Sequence, residues 1–171
     1  MKIFYFLFIV FFTGACMSLP REIIPVTEFE IDKYLGKWYE IARLDHSFER
    51  NLMKVTAEYT LREDGGVRVI NRGFSTKKEE WRQSEGKAYL VKEQEKGFLK
   101  VSFFGPFYGA YVIFELDKED YQYAFVTSSK KSYLWFLSRT PTVSPELLDR
   151  FLNKSRELGF NTENLIFVDH K

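Results

Sequence analysis

The sequence predicts an all-β fold: an eight-stranded antiparallel up-and-down β-barrel with one C-terminal α-helix packed outside. Two observations support this prediction. From residue 35 onward, short segments of alternating apolar and polar residues recur at near-even spacing, each bounded by turn residues. Near the C-terminus the alternation gives way to an apolar stripe with helical spacing. A meander of eight strands closes readily into a barrel, because closure removes the exposed edge strands.

Eight segments carry the strand pattern. The second shows it most clearly, because Val55, Ala57 and Tyr59 alternate with polar neighbours. The Gly65-Gly66 pair that follows supplies the positive φ that a tight hairpin turn requires. The predicted strands are 36–44, 55–62, 67–74, 81–91, 98–103, 109–116, 121–128 and 133–139. A barrel of eight strands has an interior just wide enough for side chains or for one small ligand.

The C-terminal helix has its own start and stop signals. Ser144 is a favourable N-cap residue, and Pro145 suits the first helical position. Gly159 suits the position just past the helix end. The single apolar stripe between them predicts one buried face, so we expect the helix to lie against the outside of the barrel. A short last strand is expected at 164–168.

The N-terminus has the pattern of a secretory signal peptide. Lys2 precedes an unbroken apolar run over 3–12, which is too short to cross a hydrocarbon core of ~30 Å as a helix. Cys16 follows small residues, and this arrangement resembles a bacterial lipobox, which implies cleavage after residue 15 and acylation of Cys16. We therefore expect a signal peptide over 1–15, a lipidated tether over 16–31 and a barrel domain over 32–171.

Composition excludes several classes of function. The net charge of +1 gives no basic excess of the kind that nucleic-acid binding requires. The chain has one cysteine, so it can form no internal disulfide. Cleavage of the signal peptide would remove Lys2 and leave equal numbers of basic and acidic side chains. The lipid on Cys16, not charge, would then hold the protein at a membrane.

Two distant segments resemble the lipocalin family. Residues 34–41 (YLGKWYEI) resemble its G-x-W signature, with Gly36 and Trp38, and residues 134–141 (LWFLSRTP) resemble the stretch whose arginine packs over that tryptophan. The arginine here is Arg139, and a guanidinium stacked on an indole is a favourable plug for one barrel end. Further segments resemble the bacterial outer-membrane lipoprotein branch of the family, at 38–43, 45–50, 83–88 and 101–109.

The resemblance implies a function. Members of that branch store or transport fatty acids or lysophospholipids for membrane maintenance under stress, and some pair as dimers. Met17, where an aspartate would favour retention at the inner membrane, implies the outer membrane. The resemblance therefore implies a lipid-anchored protein whose barrel faces the periplasm, with no cofactor and with a possible homodimer.

Strand alternation predicts which side chains line the barrel interior. The expected ligand-binding positions are Val55, Ala57, Tyr59, Val69, Asn71, Ser84, Gly86, Ala88, Leu99, Val101, Phe103 and Trp135. Several of these residues are small, which favours a cavity over a filled core. Pockets for apolar ligands carry a few placed polar groups. Tyr59, Asn71 and Ser84 could serve as those groups, or they could be polar wall residues with partners in the protein.

The meander also orders the loops. If the Trp38–Arg139 plug marks the closed end, the connections at 45–53, 75–80, 104–108 and 129–132 rim the open end. One of them contains Phe104, Phe107 and Tyr108, a cluster expected to contact a membrane, a second subunit or a ligand tail. The alternative is a loop folded back on the barrel.

No catalytic or metal-binding constellation is evident in the sequence. Contiguous Asp45-His46-Ser47 argues against a catalytic triad, and His170 lies next to the C-terminus. Glu40 is expected to be partly buried, either paired with an arginine or in contact with a ligand headgroup. The alternatives to a lipid carrier are an enzyme acting on a small apolar substrate inside the barrel and a structural envelope lipoprotein without ligand.

Overall fold

A computed structural model describes residues 19–91 and 96–171; the expected signal peptide and Cys16 lie outside this part of the chain. Nine strands, two α-helices and one 3₁₀ turn (Thr162–Asn164) are formed by the described residues. The strands are β1 (Gly36–Leu44), β2 (Leu52–Leu61), β3 (Val67–Ser75), β4 (Glu80–Leu90), β5 (Phe98–Phe104), β6 (Phe107–Leu116), β7 (Tyr123–Thr127), β8 (Leu134–Ser138) and β9 (Leu165–Phe167). The helices are α1 (Ile31–Tyr34) and α2 (Pro145–Glu157).

Strand β1 closes the sheet into a barrel. Each strand from β2 to β8 pairs antiparallel with the next, and β1 pairs antiparallel with both β2 and β8. Trp38 lies opposite Ala57 of β2, and Arg43 lies opposite Trp135 of β8. The predicted eight-stranded antiparallel up-and-down barrel is therefore confirmed, with β9 as an additional strand.

The two ends of the barrel differ. We call the end that contains Trp38 the floor and the opposite end the mouth. Because β1 runs from floor to mouth and the strands alternate in direction, the connections at 45–51, 76–79, 105–106 and 128–133 lie at the mouth. The turns at 62–66 and 117–122 lie at the floor. The four mouth connections are those that the sequence predicts for the open end.

Helix α2 lies against the outside of the barrel, as expected. Ser144 caps it by accepting a hydrogen bond from the backbone N–H of Leu147 at 3.3 Å. The ring of Phe151 is fully buried and lies 5.0 Å from Phe125 and 4.9 Å from Phe136, both on the outer face of the sheet. The helix thus covers the apolar outer surface of β7 and β8.

The C-terminal segment fills a gap between β1 and β2. Direct pairing of these strands extends from Gly36 to Tyr39 of β1. Beyond it, β9 pairs with the second half of β1, with Ala42 opposite Phe167. The backbone N–H of Lys54 donates to the carbonyl of Asp169 at 2.8 Å. The last residues of the chain therefore complete the wall near the mouth.

Residues 19–30, which belong to the segment expected to be an extended tether, pack against the barrel. Ile23 and Phe29 are buried. Between them, the N–H of Val26 donates to the carbonyl of Ile113 at 2.9 Å, and its carbonyl accepts from the N–H of Gly97 at 2.8 Å. Apolar residues in this segment bury against the sheet, which the two prolines of the segment do not prevent.

Candidate ligand site

The floor of the barrel is sealed by Trp38 and Arg139. The Arg139 guanidinium lies 3.9 Å from the centroid of the fully buried Trp38 ring. It also donates to three backbone oxygens, those of Lys33 (2.8 Å), Lys37 (3.0 Å) and Tyr121 (3.2 Å). Gly36 has φ +91 and lies close beneath the guanidinium, so a side chain there would strain the backbone. The predicted plug is confirmed.

Three tyrosine hydroxyls meet above this plug. The hydroxyl of Tyr111 lies 2.7 Å from that of Tyr34 and 2.9 Å from that of Tyr59. Burial raises the pKa of all three phenols, so they stay protonated and hydrogen-bonded. Tyr59, a predicted polar ligand contact, thus has a partner within the floor. Tyr34 and Tyr111 were not among the predicted site residues, although Tyr34 begins the segment that contains the G-x-W signature.

The predicted lining residues differ in how far they are enclosed. Six of them are buried, and those nearer the floor belong to this group. The six are Val55, Tyr59, Val69, Gly86, Ala88 and Leu99. A second group faces the interior but keeps accessible surface: Ala57, Asn71, Val101, Phe103 and Trp135. These five side chains are half-buried and not fully covered by the rest of the protein.

Gly86, the glycine among the predicted lining residues, does not leave empty space in the barrel interior. A Cβ on Gly86 would lie 2.8 Å from Phe103 Cδ1 and 2.8 Å from the backbone oxygen of Ser102. The Phe103 ring therefore occupies the volume that the small residue was expected to leave open. Asn71, also in the wall, has a buried side-chain oxygen without a hydrogen-bond partner in the described part of the chain.

Ser84 lies outside the enclosed wall, contrary to expectation. Strand β4 pairs with β3 as far as Glu80, but its pairing with β5 covers only Lys87–Leu90. The first half of β4 therefore projects past the end of β5, and Ser84 is exposed there. The side chains of β4 alternate between the two faces as predicted, but no neighbouring strand covers Ser84.

A cluster of charged side chains is buried below the mouth. Cross-strand partners share a face of the sheet, so Arg43 lies on the inner face with Trp135. The guanidinium of Arg43 donates to Glu40 Oε1 at 2.6 Å and to the backbone oxygen of Glu49 at 2.9 Å. Trp135 Nε1 donates to Glu49 Oε2 at 3.1 Å, and His46 Nε2 lies 2.8 Å from the same oxygen.

Burial decides the ionisation of this cluster. Glu40 and Arg43 are 3% and 1% exposed. Burial, and secondarily the Glu49 carboxylate, raise the pKa of Glu40 well above its usual range, although Arg43 acts in the opposite direction. The expected pairing of Glu40 with an arginine is confirmed. Arg43 Nε has no hydrogen-bond partner within the described residues, so the site presents an unused donor.

Aromatic side chains surround the mouth. Phe104 and Phe107 are 81% and 78% exposed, so the alternative of a folded-back loop is wrong for these two residues. Tyr108 does fold back: its ring lies 6.3 Å from that of Tyr89 and 5.3 Å from Lys100 Nζ. Of the three predicted interface residues, two therefore project freely.

Both histidines are held in place. The buried ring of His46 lies 4.0 Å from Phe48 and 5.2 Å from Trp135, which places it at the mouth. His170 Nε2 lies 2.9 Å from the carbonyl oxygen of Glu40. Within 19–91 and 96–171, no group of three or more His, Cys, Asp or Glu side chains is placed to hold a metal ion. None of the helices described there is long and apolar enough to span a membrane.

Comparisons with known proteins agree with this architecture. Residues 29–170 match the model of the lipocalin-like domain. The chain is 58% identical to the outer membrane lipoprotein Blc of Vibrio cholerae over 92% of each chain. It is 49% identical to the protein of the same name in Escherichia coli K12, over 92% of this chain and 90% of that one. Insecticyanin from the tobacco hornworm shares the fold, with a TM-score of 0.72 at 21% identity over 90% of this chain and 87% of its own.

Proposed function

The chain belongs to the lipocalin-like family, and we propose that it stores or transports fatty acids or lysophospholipids inside its barrel. The observation that carries this proposal is the group of inward side chains that keep accessible surface above the floor. Ala57, Val101 and Phe103 are apolar and lie on the interior face of the wall. An apolar interior that remains reachable favours burial of an acyl chain, which gains about 0.8 kcal/mol for each buried CH₂.

Polar groups lie where a headgroup would sit. An acyl chain that points toward the floor leaves its polar end near Arg43 and Trp135, which lie opposite each other on β1 and β8. Arg43 Nε is a donor with no partner among the described residues. A carboxylate or phosphate fits the guanidinium.

The proposed site of action is the bacterial outer membrane, reached through an acyl anchor on Cys16. The lipobox-like sequence supports this, and so do the relatives, which are named outer membrane lipoproteins. Mass spectrometry of the protein purified from its host tests it, because acylation after cleavage adds a defined mass at residue 16. A chain that starts at Met1 without added mass would contradict it.

A pair of tryptophan substitutions tests ligand binding. Ala57→Trp would fill the interior space, whereas Glu58→Trp places the same side chain on the exposed outer face. We expect Ala57→Trp to weaken binding of a fluorescent C16 fatty acid by at least about tenfold, equivalent to a loss of roughly 1.4 kcal/mol. Glu58→Trp should bind as the parent does. Thermal unfolding of both variants shows that the barrel is intact.

Absence of saturable binding of either a fatty acid or a lysophospholipid to a folded parent protein would refute the proposal. Native mass spectrometry of the protein from its own host gives an independent check. An intact lipid should be recovered at the stoichiometry of one per barrel. A lipid converted to a product would instead favour an enzyme.

A further inference from the structure

Exposed aromatic side chains are concentrated at one end of the barrel. Among the described residues, five aromatic side chains are strongly exposed, and four lie at the mouth: Phe48 (58%), Trp81 (62%), Phe104 (81%) and Phe107 (78%). Phe48 lies on one mouth connection, and the other three lie at strand ends within two residues of two further connections. Exposed apolar groups of this size mark a surface that something else covers.

Charge is also distributed unevenly between the two ends. The exposed side chains at the mouth include Lys77, Lys78, Arg82 and Lys130, beside the acidic Glu79 and Glu80. The floor turns expose mainly carboxylates: Glu63, Asp64, Glu119 and Asp120, with Lys118 as a cation. Lys33 and Lys37 are also exposed at the floor, so the floor carries charges of both signs. An anionic surface would therefore attract the mouth more strongly than the floor.

The N-terminal segment reaches the mouth as well. Glu22 Oε2 lies 3.3 Å from Lys131 Nζ, on the mouth connection between β7 and β8. From there the segment runs down the outside to Phe29, which packs against Tyr34 at the floor. Cys16 precedes Leu19 by three residues, which span at most about 10 Å. A lipid on Cys16 would thus enter a bilayer close to the mouth.

From these three observations we propose that the mouth of the barrel docks on an anionic phospholipid bilayer through Phe48, Trp81, Phe104 and Phe107. This inference rests on the proposed function, because it gives a lipid carrier direct access to its source of ligand. Aromatic and basic residues together suit the membrane interface, where the rings enter the headgroup region and the cations contact lipid phosphates. The acyl anchor and the docked mouth would lie on the same side of the molecule.

The test uses the protein with Cys16→Ser, so that no acyl chain contributes. We expect it to bind vesicles of phosphatidylethanolamine and phosphatidylglycerol, and brominated acyl chains should quench the exposed Trp81. The double substitution Phe104→Ser with Phe107→Ser should weaken vesicle binding by at least about tenfold, because each ring loses its apolar burial. Lys77→Glu with Lys78→Glu should also weaken it, and added salt should remove that difference.

Matched controls lie at the floor. Leu61→Ser removes a 54% exposed apolar side chain there, and Lys118→Glu reverses an exposed charge. Both should bind vesicles within about twofold of the parent, since a tenfold change requires 1.4 kcal/mol. Unchanged vesicle binding by the Phe104/Phe107 variant would overturn the proposal. The proposal would also be overturned if the Phe104/Phe107 variant lost self-association in sedimentation velocity but kept vesicle binding. That result would show that the surface contacts a second copy of the chain.

Fatty-acid titration without vesicles separates this inference from the proposed function. The Phe104/Phe107 variant should bind the fluorescent fatty acid as the parent does. Ala57→Trp should show the reverse, with vesicle binding retained and ligand binding weakened. If the parent binds the fatty acid but not vesicles, the docking inference fails and the carrier function stands.

Discussion

Arg139 illustrates how one side chain can combine two interactions. Its planar guanidinium stacks on Trp38 and at the same time donates to three backbone oxygens. A lysine has the charge but not the planar guanidinium, so it can make neither the full stacking contact with Trp38 nor all three hydrogen bonds. The floor therefore depends on the geometry of arginine rather than on a positive charge alone.

Arg139→Lys should lower the free energy of unfolding by about 2 kcal/mol, the sum of two or three lost hydrogen bonds of about 1 kcal/mol each. Urea unfolding followed by far-UV circular dichroism measures the change. Arg68→Lys is the matched control, because Arg68 pairs with Glu85 on the exposed surface. Its unfolding midpoint should be unchanged, and equal effects of the two substitutions would contradict this role of Arg139.

Glu40 should make stability depend on pH. Its pKa in the folded protein is raised, so the folded state keeps a proton that the unfolded chain releases above its ordinary value of 4.5. The free energy of unfolding should therefore fall as the pH rises above about 4.5, by up to about 1.4 kcal/mol per pH unit. Glu40→Gln removes this titration and should flatten the slope between pH 5 and pH 8.

Chemical denaturation at several pH values tests this dependence. Glu58→Gln, on the exposed outer face of β2, provides the comparison, and its slope should match that of the parent. A parent whose stability rises over the same pH range, or a Glu40→Gln variant with the parent's slope, would show that the Glu40 carboxyl is ionised in the folded protein.

At the level of single residues, the sequence predicted the contact between Trp38 and Arg139, but not the contact between Arg43 and Glu49 below the mouth. Trp38 and Arg139 stand in recognisable motifs, so their contact could be expected from sequence alone. The contact of Arg43 with Glu49 depends on a bulge in β1 and on the return of the following loop over the barrel. Neither feature leaves a pattern in the sequence, because side-chain alternation describes only regular strands.

At the level of elements, the presence of each strand was predicted more accurately than the residues at which it begins and ends. Strand β1 has the expected bounds, and α2 lies between its expected cap residues. Strand β2 begins at Leu52, three residues early, because Lys54 has φ +53 and its bulge interrupts the alternation. Strand β6 begins at Phe107 because the turn at Gly105-Pro106 is tighter than expected. Local backbone irregularities thus account for the differences.

The contact between β4 and β5 depends on the absence of a side chain at Gly86. Gly86→Ala should destabilise the barrel by about 1–3 kcal/mol, because the backbone oxygen of Ser102 cannot move away from the added carbon. Gly105→Ala is the control, since nothing lies within 4 Å of a Cβ there. Thermal unfolding compares the two variants. A Gly86→Ala midpoint equal to that of Gly105→Ala would show that Phe103 and the strand can shift freely.

For the whole molecule, closure of the barrel is the long-range event. Strand β1 must pair with β8, so that Tyr39 meets Ser138 across a sequence separation of 99 residues. Contacts of such sequence separation slow folding to the millisecond-to-second range. A chain that lacks one partner of this pair also leaves two sheet edges unpaired.

Truncation after residue 128 should therefore abolish cooperative unfolding, because it removes β8 together with α2 and β9. Thermal unfolding monitored by circular dichroism should show no sigmoidal transition. Truncation after residue 164 removes β9 alone and should retain a cooperative transition at a lower temperature. A sigmoidal transition in the shorter chain would show that the pairing of β8 with β1 is not needed to complete the fold.

The sealed floor has a kinetic consequence. Trp38, Arg139 and the three tyrosines close one end of the barrel, so the barrel is not an open channel from end to end. A bound molecule must leave by the opening through which it entered, and a replacement cannot push it out from behind. Exchange is then sequential, so the rate at which a first ligand departs is independent of the concentration of a competitor.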